Sequence, residues 1–158
     1  MSIVFDIKQI QAMIDNGVPH CAEIGVRVHE MNVDGAVFSL PYQERFAGNP
    51  VDGVLHGGII TTLIDTTAGM CIYAKLEKYM PIATLDLRID YLKPATPGEE
   101  LFAFANCYRL TRSIAFVRTI AYHTEREDPV ANSVGTFMLQ SSPTPSINRF
   151  SAASKETK

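Results

Sequence analysis

The spacing of apolar positions divides the chain into a helical start, a short pair of strands, an irregular loop, one long apolar helix and four longer strands. Within residues 3–16, Ile7, Ile10, Met13 and Ile14 recur at helical intervals, and Gly17 and Pro19 supply the stop. Val26–Asn32 and Ala36–Leu40 read as short strands, joined by a hairpin turn at Asp34-Gly35. Residues 41–55 contain Pro41, Gly48, Asn49, Pro50, Asp52 and Gly53 and form a long irregular loop. Loops of that length inside a compact domain are often functional.

His56-Gly57-Gly58 then opens a helix expected to end near Lys78. Its residues Ile59, Ile60, Leu63, Ile64, Ala68, Met70, Cys71, Ile72 and Ala74 point in almost every direction, so the helix must be wrapped on most sides. From Ile82 to Leu92 the pattern changes to period two. Leu85, Leu87, Ile89 and Tyr91 share one face, and Thr84, Asp86, Arg88 and Asp90 share the other. Leu101–Leu110, Ile114–Thr124 and Val130–Gln140 are further strands, and the short connections between them make the sheet mainly antiparallel.

The pattern is that of an α+β domain whose sheet wraps one helix, covering residues 1–140, with a flexible tail over 141–158. Phe102, Phe104, Phe116 and Val117 place apolar groups on both strand faces, which predicts a homo-oligomer as cover.

Composition narrows the function classes. With 158 residues, 46% of them hydrophobic and 20% charged, the chain is a single folded domain and not a disordered one. The 14 basic and 17 acidic residues give a net charge of −3, without the basic excess of a nucleic-acid binder. Cys21, Cys71 and Cys107 are widely spaced, with no CxxC or Cys/His cluster, so neither a disulfide framework nor a metal site is expected. The apolar stretch Ile59–Ala74 falls short of about 20 residues and is interrupted by Asp65, so no membrane span is expected. Met1–Asp6 lacks the basic and apolar regions of a signal peptide, which predicts a cytoplasmic address.

The chemistry concentrates around the long helix. Gly57 and Gly58 allow close backbone approach at a helix N-terminus, where unpaired N–H groups suit an anion or oxyanion. Read by itself, the pair is equally a tight loop-to-helix turn. Asp65 is an acid within an apolar helix and must be paired, hydrogen-bonded or functional. A structural Asp bonded to loop backbone or to neighbouring Thr hydroxyls satisfies the same rule. Gly58 and Asp65 are seven residues apart, on one helix face but separated by roughly 10 Å of rise. Two such helices packed antiparallel across a two-fold axis would bring Asp65 of one subunit to the Gly58 end of the other. His56, just before the helix, is read as holding the loop by hydrogen bonds.

Leu55-His56-Gly57-Gly58, followed by Asp65 nine residues after the His, resembles the hotdog-fold acyl-CoA thioesterases of the phenylacetate-degradation type. The resemblance covers roughly residues 20–140 and includes the strand exit Asp86–Ala95. It implies a long helix wrapped by a curved antiparallel sheet, paired into dimers and usually tetramers. It also implies hydrolysis of an acyl- or aryl-CoA, without a cofactor, by Asp65 acting as general base or nucleophile.

In the same resemblance Gly58, with Gly57, is the backbone donor to the thioester oxygen, His56 the supporting His, and Thr84 the hydroxyl that orients water. The family's loop Asn lies six residues before the His, where this chain has Pro50, so Asn49 is the candidate. Coenzyme A carries phosphates, for which Lys93 and Arg112 are the expected partners. The rival expectations are an acyl-CoA binding protein without catalysis and a hotdog hydratase or dehydratase.

Overall fold

A computed structural model describes residues 5–139. It contains α1 (Ile7–Gly17), α2 (Pro19–Ile24), β1 (Arg27–Asn32), β2 (Gly35–Leu40), a 3-10 turn (Glu44–Phe46), α3 (Gly57–Leu76), β3 (Ile82–Tyr91), β4 (Leu101–Leu110), β5 (Ile114–Tyr122) and β6 (Ala131–Leu139). The expected helix start at residue 3 and the tail over 141–158 lie outside the described residues. Among those, Asp6 caps α1 by accepting the Lys8 N–H. Pro19 stops α1, as expected, and also opens α2, a helix the spacing did not show. Proline suits the first helical position, and Gly25 at φ 81° ends this short helix.

The strands form one antiparallel sheet in the order β1-β2-β4-β5-β6-β3. Its helix-facing side is built from small residues: Ala36, Ala103, Ala105, Ala115, Ala121 and Ala131 are all fully buried. Small side chains let α3 lie close, and it packs chiefly on β4, β2 and β5. Leu63, Ile64, Ile72 and Phe38 fill the space between. By length and composition α3 could cross a membrane, but half of it is buried inside this fold, as the core helix.

Two expectations need correction. The hairpin turn is Val33-Asp34, because Asn32 pairs with Gly35, which already belongs to β2. Gly35 is there for space: a Cβ would fall 2.5 Å from the Ala105 carbonyl oxygen and 2.7 Å from the Phe104 ring. Apolar groups occupy both faces of these strands: Val117 faces inward and is buried, and Phe102, Phe104 and Phe116 lie on the outer face. There Arg126 lies 4.0 Å over the Phe104 ring and Arg118 lies 4.6 Å over Tyr108.

The second correction matters most for the site. The β3–β6 register slips between Thr84, which pairs with Phe137, and Asp86, which pairs with Thr136. Leu85 is the extra residue of a β-bulge, and it is 55% exposed. Period two therefore restarts at the bulge. Thr84 lies on the helix side with Leu87 and Ile89, and not on the outer side with Asp86, Arg88 and Asp90.

The two sheet edges differ. Along β1, the Gln11 side chain of α1 accepts the Val28 N–H at 2.8 Å and donates to the Val26 carbonyl at 3.0 Å, covering that edge. The outer edge of β3 pairs with nothing among the described residues.

Cys21, Cys71 and Cys107 are buried and unpaired, and burial pushes all three thiols above their ordinary range. Native protein should therefore resist alkylation at about pH 8, and label only after unfolding. The linkage has a definite sign. Above the ordinary thiol value of about 8.5 the unfolded chain releases protons that the native state keeps, so stability falls as pH rises past that point. Mass spectrometry after a pulse of iodoacetamide and urea titrations at about pH 8 and 10 check both statements. Rapid labelling of native protein would contradict them.

Candidate active site

One stripe of α3 escapes the sheet. Gly58, Thr62, Asp65, Thr66, Gly69 and Tyr73 recur three or four residues apart and are not fully covered. The stripe lies between α1 on one side and the free edge of β3 on the other, and the candidate chemistry sits along it.

At the N-terminal end, the loop before α3 closes on itself through the Ala47–Leu55 bridge and the Gly48 N–H to Val54 carbonyl bond of 2.7 Å. His56 is held there by its own N–H on the Phe46 carbonyl (2.9 Å). Its Nδ1 accepts the Gly58 N–H at 2.9 Å, which makes His56 the N-cap of α3. The Gly58 amide is already capped, whereas the Gly57 N–H has no partner among the described residues.

The Gly57 carbonyl receives the Tyr91 hydroxyl at 2.8 Å and the Thr61 hydroxyl at 3.0 Å. A Cβ on Gly57 would come within 3.0 Å of the Tyr91 oxygen, so only glycine fits this contact without a shift.

Two turns along, Asp65 Oδ1 accepts the Thr84 hydroxyl at 2.9 Å. Asp65 is half-buried, and its second oxygen has no partner among the described residues. The bond exists because the Leu85 bulge turns Thr84 toward the helix. Beyond this pair lies a cavity of about 560 Å³ between α1, α3 and the start of β3. Asp65, Thr66 and Thr84 form its polar end, and Met13, Ile14, Met70, Tyr73, Ile82 and Phe137 give it an apolar body. Burial, and then the neighbouring Tyr79 phenol, push the Tyr73 hydroxyl up to about 12, so it stays neutral.

The remaining candidates separate. Asn49 is exposed and engaged in its own loop, accepting the Val51 N–H at 2.9 Å and donating to Asp52 at 3.3 Å. Among the described residues of one protomer nothing brings it to Asp65. Lys93 pairs with Asp128 and borders a hollow that also includes Leu55, Gly57 and Tyr91, near the start of α3. Arg112 lies in the β4–β5 turn at the far end of β6, where the Leu139 N–H meets the Ser113 carbonyl. A strand the length of β6 spans about 27 Å, so one protomer does not bring the two cations together. Gly57 and Asp65 are likewise about 12 Å apart along α3. Among the described residues no three His, Cys, Asp or Glu side chains cluster to hold a metal.

Tyr91 and Thr61 were missed by sequence reading. The alternation places Tyr91 on the inner face, but its partner 34 residues away shows only in the fold.

A curved antiparallel sheet around one central helix, with a carboxylate midway along that helix, defines a hotdog-fold domain. The chain belongs to the thioesterase superfamily, whose profile matches residues 52–130, and thioester hydrolysis is its class of chemistry. It is 26% identical to the medium/long-chain acyl-CoA thioesterase YigI of Escherichia coli over 146 residues, 84% of this chain and 93% of that protein. A crystal structure of a Pseudomonas aeruginosa protein superposes with a TM-score of 0.75 at 39% identity, over 84% of this chain and 97% of the other. A thioesterase of Haemophilus influenzae shares the fold at a TM-score of 0.76 and 20% identity, over 87% and 92% of the two chains.

Removing the hydroxyl that pins Gly57 should loosen the start of α3. Tyr91→Phe is expected to cost about 0.5–1.5 kcal/mol, toward the low end because Tyr91 is half exposed. Urea titration measures this, and hydrogen exchange should show the loss concentrated in the first turn of α3. An unchanged first turn would remove Tyr91 from that role.

Proposed function

We propose that the protein hydrolyses acyl-CoA thioesters, with Asp65 as general base and the Gly57 N–H as oxyanion donor. The observation that carries this reading is the Asp65 carboxylate, fixed through Oδ1 by Thr84 at the polar end of an apolar cavity. Water beside the unpartnered oxygen gives a proton to Asp65 and attacks the thioester carbonyl. The carbonyl oxygen becomes an oxyanion at the positive end of α3, facing the Gly57 amide. Collapse of the intermediate breaks the C–S bond, and the proton passes from Asp65 to the departing thiolate. A carboxylic acid and free coenzyme A result. The name of the Escherichia coli relative supports an acyl-CoA substrate.

The proposed centre is shared between two subunits. Neither Asp65 nor Gly57 can reach the other's reaction centre across about 12 Å of helix. The uncovered edge of β3, with Leu85 and Tyr91 half exposed, is a ready surface for a second copy. Antiparallel pairing of two β3 edges turns the open α3 stripes toward each other and sets Gly57 of the partner subunit opposite Asp65. It also carries the β4–β5 turn of one subunit toward the Lys93 end of the other, so Arg112 and Lys93 of different chains serve the coenzyme A phosphates. The outer aromatic face around Phe102 and Phe116 is the surface on which such dimers pair into a tetramer.

Asp65→Asn keeps shape and removes the base. Its kcat/KM on an acyl-CoA should fall on the order of 10²–10⁴-fold while melting temperature and oligomeric state hold. Hydrolysis at the wild-type rate would make Asp65 structural and end the proposal.

A further inference from the structure

Beyond Asp65 the open stripe of α3 continues for two turns, through Gly69 to Tyr73, and the cavity follows it. Its carboxylate and threonine hydroxyls are gathered at the Asp65 end, and from there the lining is apolar but for the Tyr73 and Tyr79 hydroxyls. Gly69 presents no side chain at the midpoint, and a Cβ there would already touch Ile82 Cδ1 at 3.4 Å. Along α3 the cavity lining runs from Asp65 past Gly69 to Tyr73, with Ile82 of β3 facing Gly69. At the far end the Tyr73 and Tyr79 rings lie against each other, with centroids 4.9 Å apart. Tyr79 stands on the connection after α3, is 71% exposed and lines the cavity together with Tyr73.

From Asp65 to Tyr73 is eight residues, about 12 Å of rise. An extended alkyl chain advances about 1.3 Å per carbon, given C–C bonds near 1.52 Å at tetrahedral angles. About nine or ten carbons thus span the distance from carboxylate to ring pair. A compact aryl group would fill only the part nearest Asp65.

We propose that the cavity takes a straight, medium-length acyl chain, and that the Tyr73–Tyr79 pair is the stop that limits its length. The inference rests on the acyl-CoA reading above, and it names the substrate class of that site. Hydrolysis of acetyl-, butanoyl-, octanoyl-, decanoyl-, hexadecanoyl- and phenylacetyl-CoA tests it, with wild type, Tyr79→Ala and Gly69→Leu proteins. Wild-type kcat/KM should rise roughly two- to fourfold per buried methylene up to about decanoyl and then stop rising, with phenylacetyl-CoA well below decanoyl-CoA. Tyr79→Ala should raise the hexadecanoyl-to-octanoyl ratio at least about tenfold, and Gly69→Leu should lower the decanoyl-to-butanoyl ratio by a similar factor. Calorimetric binding of octanoate, decanoate and hexadecanoate gives a readout independent of turnover.

A flat length profile, or a Tyr79→Ala profile that superposes on wild type, overturns the inference while leaving hydrolysis by Asp65 standing. Length-limited carboxylate binding that Tyr79→Ala extends, in a protein that cleaves no thioester, upholds the inference and removes the catalytic reading.

Discussion

The structure depends on one constraint: α3 is apolar on nearly every side, and a single sheet can cover it only from one direction. The alanine-rich inner face of β2, β4 and β5 takes that side closely. What the sheet cannot reach becomes a stripe from Gly58 to Tyr73, and α1 and β3 flank it without closing it. An aspartate in the middle of such a helix would be costly if enclosed and alone. On the stripe it is half open, and Thr84 satisfies one of its oxygens. The cavity, the carboxylate and the free amide at the helix start are all consequences of the same incomplete wrapping.

The Thr84 contact in turn depends on a single extra residue. In an unbroken strand Thr84 would share a face with Asp86 and Arg88, pointing away from the helix. The bulge at Leu85 reverses that locally while leaving Leu87 and Ile89 in the core. Bulges beside reactive groups commonly re-aim a side chain, and this one joins the edge strand to the central carboxylate.

Much of this was legible in the chain. The period-two runs gave β4 at its observed bounds, and β5 and β6 within two residues of theirs. The apolar run after His56 marked α3, and Asp65 stood out because an acid there needs a reason. The parts that stayed hidden depend on contacts distant in sequence. Strict alternation put Thr84 on the wrong face, since nothing in Thr84-Leu85-Asp86 announces a slip in register. Which of the Gly57 and Gly58 amides is capped shows only in the orientation of the His56 ring. The Asx turn that engages Asn49 with the Val51 N–H shows only in the structure. Arg112 and Lys93 both lie at strand ends, but which end follows from the pairing of β6 with β3 and β5. The role of α1 in lining the cavity left no local signal beyond its apolar spacing.

Family membership fixes the chemistry as thioester hydrolysis, and the spacing along α3 raises the question of how one centre is assembled. The proposed answer is that each centre takes Asp65 from one chain and the Gly57 amide from its partner. Mixing Asp65→Asn protein with Gly57→Val protein under conditions of subunit exchange tests this most directly. Heterodimers, confirmed by mass spectrometry, would hold one centre with Asp65 and Gly57 both unsubstituted and one carrying both substitutions, its amide crowded by the added side chain. Thioesterase activity well above that of either parent is the expected result. Confirmed heterodimers with no recovery would place Asp65 and Gly57 in the service of a single chain, and would contradict the shared site.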